Sequence, residues 1–158
     1  VASTTVTGGE KLQAYLTTLA ARAASGGAVK VGFLEGARYS DTHPIRGTAR
    51  KPLPVALVAF WQEFGTKRAP ARPFFRTTIA QKSGEWGAIF AKALPYYQMD
   101  GAKALAALGT VMQSDIRASI VTWSSPPNSP RTVAIKGFNK PLVDDGTMQR
   151  TVNYQVMS

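Results

Sequence analysis

The chain has 158 residues and no cysteine, with 19 Lys and Arg against 9 Asp and Glu, a formal net charge of +10. This length suits a single domain spanning residues 1–158 with a core of its own. The missing cysteine excludes disulfides, thiolate metal sites and cysteine nucleophiles, and the positive balance calls for an acidic partner such as nucleic acid, an acidic protein surface or anionic lipid.

No apolar run is long enough to span a bilayer. The opening VASTTVTGGE lacks the basic and apolar regions of a signal peptide. Thr7 and Glu10 have the spacing of a capping box. Behind them Leu12, Tyr15, Leu16, Leu19 and Ala23 recur at three and four, which predicts a helix from about Glu10 to Ala24. Gly26 and Gly27 end it.

In AVKVGFLEG, Val29, Val31 and Phe33 alternate with Lys30 and Gly32, the pattern of a strand. Residues 36–54 are basic and poor in apolar side chains and read as an exposed loop or hairpin tip. Pro54 and Gly65 bracket a short helix, VALVAFWQEF. Leu57, Phe60, Trp61 and Phe64 form its greasy face and are expected to pack into the core. Phe74 and Phe75 follow a basic proline turn and read as core. A mainly helical pattern from Phe75 to about Leu94 is interrupted near Ser83 and Gly84 and stopped or kinked by Pro95.

Asp100 reads as the cap of a long helix from Gly101 to about Ile120, with Leu105, Leu108, Met112, Ile116 and Ile120 as its stripe. Residues 124–146 hold four prolines and two glycines, which forbid a long helix or a central strand. The chain closes on Val152, Tyr154 and Val156, alternating as a terminal strand. Two strands so far apart must pair with each other or with strands from the loops. The expected fold class is therefore α+β, a small and mostly antiparallel sheet packed against a long helix, with long extended loops.

Catalytic chemistry finds little footing. His43 is the single histidine and sits in the basic loop, where it reads as an exposed polar residue. Asp144 and Asp145 are the one adjacent acidic pair. Side chains of neighbours in an extended segment point apart, so the pair is a weak chelator and a better turn and helix-cap signal before Gly146. No glycine pattern matches a phosphate-binding loop. Nucleic-acid binding stays open: eight basic residues and two acids lie between Arg38 and Arg76, interleaved with Phe60, Trp61, Phe64, Phe74 and Phe75.

Three motifs occur in order: WQEFGT at Trp61 to Thr66, PARPFFR at Pro70 to Arg76, and PPNSPRT with KGFNKPLVDDG between Pro126 and Gly146. Together they resemble the small tail-completion, or head-tail joining, proteins of long-tailed bacteriophages, also called neck proteins or minor tail components. The family pattern runs roughly E-[FY]-G-T, then P-x-R-P-F, then P-x-N-[SA]-x-x-T with K-G and P-L-x-D-[TS]-G. The likeness spans about Ala56 to Val156, and Asp145 departs from the usual Thr or Ser.

The resemblance implies a structural virion protein of the head-tail junction, made in the host bacterial cytoplasm, with no enzyme activity and no cofactor. It implies a homo-oligomeric ring, sixfold or, against the portal, twelvefold. The neighbours would be other neck proteins, the head-side connector and the tail tube, with DNA passing through the lumen. Neither a membrane nor a small-molecule substrate is implied. On this reading residues 124–146 are a docking arm, anchored through Pro126, Pro127, Val133, Ile135, Lys136, Phe138, Lys140 and Leu142 on the next subunit, or else they fold back on their own helix. Arg38, His43, Arg46, Arg50, Lys51, Lys67, Arg68 and Arg72 would face the lumen or an acidic neighbour. The other reading is a DNA-binding or packaging accessory protein that uses the same basic surface.

Overall fold

The computed structural model describes residues 9–24, 26–33, 35–43 and 46–157; the capping residue expected at Thr7 lies outside them. The described residues form six helices and one two-stranded antiparallel sheet, an α+β fold. Helix α1 (Gly9–Ala24) leads into strand β1 (Ala28–Phe33). Then come α2 (Val55–Phe64), α3 (Phe74–Tyr96), α4 (Gly101–Thr122), α5 (Pro130–Lys136), α6 (Thr147–Thr151) and strand β2 (Val152–Met157).

The two strands expected at the ends of the chain do pair, with Ala28 opposite Met157 and Phe33 opposite Val152. The sheet lies on α4, and α3 packs along another side of that helix. Asp100 caps α4 as expected, its carboxylate accepting from the Lys103 amide at 3.0 Å. Gly109 lets the sheet approach: a Cβ there would sit 2.3 Å from the Tyr154 ring.

The core draws its buried side chains from five elements and from Leu142 before α6. Val55 and Ala59 come from α2, Phe74 from α3, Ile116 and Ile120 from α4, Met148 from α6 and Val152 from β2. Phe74 is buried, as expected, and Phe75 packs beside it.

Three expectations are corrected. Helix α3 runs unbroken through Ser83 and Gly84, and Pro95 is accommodated in its last turn. A lone glycine lowers helix propensity without breaking a helix that is packed along its length. Residues 124–146 are not extended throughout, because they contain α5. Ser129 caps it by accepting from the Thr132 amide at 3.2 Å, Pro130 occupies its first turn, and Gly137 closes it in the left-handed region.

The third correction concerns α2. Its inward face is Val55, Ala59 and Glu63, spaced by four. The expected core face points outward instead: Phe60 and Phe64 are each 56% exposed, and Leu57 and Trp61 are also open to solvent.

Two glycine substitutions test this packing. Gly84→Ala, in the exposed middle of α3 with open space around it, should stabilise the protein by about 0.5–1 kcal/mol. Gly109→Val should destabilise it by about 1–3 kcal/mol through overpacking against Tyr154. Urea unfolding of both variants reads the two signs.

Candidate functional site

The turn between α2 and α3 is built from two buried charged side chains. Glu63 faces inward and accepts from the Phe75 amide at 2.9 Å and the Arg76 amide at 3.3 Å, so its carboxylate caps the start of α3. Arg76 returns to it at 3.2 Å. Gly65, at φ 78°, makes the reversal; a Cβ there would lie 2.8 Å from the Ala71 amide. On the far side of the turn the buried Arg72 donates to Gln62 Oε1 at 2.8 Å, to the Pro126 carbonyl at 3.0 Å and to the Pro127 carbonyl at 3.2 Å. Burial holds its guanidinium below the ordinary arginine value. The EFGT, PARPF and PPN motifs therefore meet in one hydrogen-bonded staple.

A second staple joins the basic loop to the end of the proline-rich segment. The loop is hairpin-like, with bridges Arg38–Pro54 and Thr42–Ala49. His43 is buried. It accepts from the Arg46 amide at Nδ1 (3.1 Å) and meets Asp144 Oδ2 through Nε2 at 3.0 Å. An amide donor on Nδ1 fixes the proton on Nε2, so neither nitrogen is left for a general base. Arg46 grips both Asp144 oxygens, at 2.9 and 3.0 Å. Asp145 turns the other way to Arg50 at 2.7 Å and accepts from the Thr147 amide at 2.8 Å, which starts α6. The adjacent acids thus point apart and serve a helix start, as the sequence suggests. Arg50 lies over the Tyr39 ring at 4.7 Å. Burial first, and then the charge of Asp145, pushes the Tyr39 phenol up to about 12 despite Arg50.

These contacts correct several site assignments. His43 and Arg72 are buried within the chain. Arg46 and Arg50 are committed to Asp144 and Asp145. Arg38 donates to the Pro52 carbonyl across its own loop at 3.1 Å. Lys51, Lys67 and Arg68 remain exposed. In the proposed arm, Leu142 belongs to the chain's own core, and Pro126 and Pro127 hold Arg72. Lys140 reaches the Val121 carbonyl of α4 at 3.4 Å, and Lys136 reaches the Lys140 carbonyl at 2.8 Å. Val133 is half-buried, while Ile135 and Phe138 are exposed, with Lys136 over the Phe138 ring. The segment thus folds back on its own molecule through Pro126, Pro127, Lys140 and Leu142.

What stays open is of two kinds. A cleft of about 780 Å³ runs between the basic hairpin and α5. The outward face of α2 also borders an apolar groove of about 680 Å³, walled by Val31 and Phe33 of β1 and by Phe60, Phe64 and Phe75. Helix α1 touches α4 where Ala23 and Gly26 approach Gly101, and its stripe is uncovered, with Leu12 59%, Tyr15 61% and Leu16 55% exposed. Among the described residues no three His, Asp or Glu side chains gather to hold a metal, and no helix is long and apolar enough to cross a membrane. Comparison with protein-family models, curated proteins and solved structures finds no match.

Burial raises the Asp144 carboxyl, but Arg46 and His43 outweigh it; for Asp145, burial is outweighed by Thr147 and Arg50. Both end below the ordinary carboxylate value. A depressed folded value means stabilisation that is complete above the unfolded carboxyl value, about 4, and lost as pH falls through the lower folded values. Asp144→Asn should therefore lower the urea midpoint at neutral pH and flatten the acid limb of the stability profile. An acid limb identical to that of the parent would show that the staple contributes nothing there.

Proposed function

We propose that this chain is a structural virion protein of the bacteriophage head-tail junction, a subunit of a ring that joins the head-side connector to the tail and lets DNA through. One observation carries the reading: the aromatic face of α2 points away from the core. The outward side chains of α2 offer on the order of 400 Å² of apolar surface, with aromatics at about 150–250 Å² each. That is the size of the largest, often functional, patch on a small protein.

The apolar stripe of α1 supplies a second, different face. Two unlike apolar faces on one subunit suit head-to-tail contacts, each joining the α2 face of one copy to the α1 face of the next, and such contacts close into rings when the rotation allows. In each such contact the α2 face offers on the order of 400 Å², about half the roughly 800 Å² per partner of an ordinary stable interface, so the assembly relies on the several contacts that a closed ring provides. The resemblance of the three motifs to those of neck proteins lends support from the sequence, since all three meet in the α2–α3 staple that orients α2. The net charge of +10 suits a lumen that DNA traverses.

The basic surface also favours a second reading, a DNA-binding or packaging accessory protein. Lys51, Lys67 and Arg68 are exposed. The two readings separate in one experiment on the bacterium that makes the particle. A chain with Phe60→Glu and Phe64→Glu should keep its circular dichroism spectrum, while electron micrographs show separate heads and tails in place of joined particles. Joined particles from the variant, together with tight DNA binding by the purified chain that collapses with salt, would replace the ring reading with the accessory one.

A further inference from the structure

The cleft between the basic hairpin and α5 has an unusual division of chemistry. Its floor is apolar, formed by Leu53, Val58, Leu142 and Met148. Its rim carries Lys51, Arg68 and Lys136, with the committed Arg46 beside them. Lys51 and Arg68 are exposed, and no ion pair or side-chain hydrogen bond engages either among the described residues. The one acid in the lining, Asp144, already holds His43 and Arg46. Asn128, on the α5 side, has a buried Nδ2 donor without an acceptor. Burial, with the nearby charges of Arg72 and Arg46, holds Lys136 below the ordinary lysine value despite Asp144.

We propose that this cleft is a docking site for an extended peptide segment of a different protein, one that alternates acidic and apolar side chains. The volume, about 780 Å³, lies within the range of ligand-binding clefts. Carboxylates of the segment meet Lys51 and Arg68 at the rim, and its apolar side chains cover the floor. A backbone or side-chain carbonyl accepts from Asn128.

Charge selects this occupant. Duplex DNA would satisfy the rim but leave the floor uncovered, because its base faces are stacked inside and its phosphates bring no apolar surface; a single strand, whose bases are free to reach the floor, is the competitor in the test below. A second copy of the chain has no suitable segment. Glu63, Glu85, Asp100, Asp144 and Asp145 are held by cations. Asp115 accepts from the Trp86 indole at 2.7 Å. The remaining Glu10, Glu35 and Asp41 are scattered singly. The proposal does not depend on the ring assignment, since such a partner would suit either reading.

Fluorescence anisotropy with the full chain tests it. The probe is a short fluorescein-labelled peptide in which Asp and Glu alternate with Leu. The comparison probes are the same peptide with Ser in place of Leu, and a single-stranded oligothymidylate. The Leu peptide should bind, and the Ser peptide should bind about tenfold more weakly. Lys51→Glu and Arg68→Glu should each weaken the Leu peptide by about tenfold, the loss of one good charge contact. Both positions are exposed and outside the staples, and circular dichroism checks that the variants fold. The proposal is overturned if the Leu peptide fails to bind, if the Ser peptide binds equally well, if either variant binds like the parent, or if oligothymidylate displaces the Leu peptide at equal concentration.

Discussion

Glu63 sits on the inward face of α2, and the rest of the arrangement follows from it. Its carboxylate is nearly buried, and it is satisfied by the first amides of α3 and by Arg76. A buried carboxylate without such donors would be costly, so the helix cannot roll to bring another face inward. Fixing the roll places Val55 and Ala59 in the core and turns Phe60, Trp61 and Phe64 outward. The helix with the densest aromatics among the described residues thereby turns them to the surface. The exposed apolar surface is thus a consequence of a polar constraint inside.

Arg72 extends the same logic across the turn. Its guanidinium is buried and ties α2 to the two carbonyls at the start of the proline-rich segment. Asp144 and Asp145 tie the end of that segment to the basic hairpin. Two irregular stretches, poor in secondary structure of their own, are thus held to a small core by ion pairs and charge-assisted hydrogen bonds as well as by the apolar packing of Ala37, Tyr39, Leu142 and Val143. The arrangement consumes the acids Glu63, Asp144 and Asp145 and the cations Arg46, Arg50, Arg72 and Arg76. It leaves Lys51, Lys67 and Arg68 as the outward remainder of a strongly basic region.

The elements with local signals were legible in the sequence. Pro54 and Gly65 bracket α2, Asp100 caps α4, and the alternation at both ends of the chain marks the paired strands. The α+β class followed from their order. Helix α5 also had a local signal, Ser129 and Pro130 at one end and Gly137 at the other, but the density of prolines around it masked that pattern. The roll of α2 was not legible, because periodicity finds the greasy face and assigns it to the core by default. What overrides the default is a contact between Glu63 and amides beyond the next turn. The site residues were hardest to place. His43 and Asp144 are a hundred and one positions apart, a separation at which neither residue leaves a mark near the other. Nothing local distinguishes an arginine that will close a staple, such as Arg46, from one that will face solvent, such as Arg68.

If the proposed function holds, another copy of the chain covers the outward face of α2 in the particle. Hydroxyl-radical footprinting of the free chain and of intact particles measures this directly. Phe60, Trp61 and Phe64 should be oxidised readily in the free chain and protected in the particle, while the exposed Tyr96 on α3 serves as an internal reference. Equal oxidation of the three aromatics in both states would contradict the account.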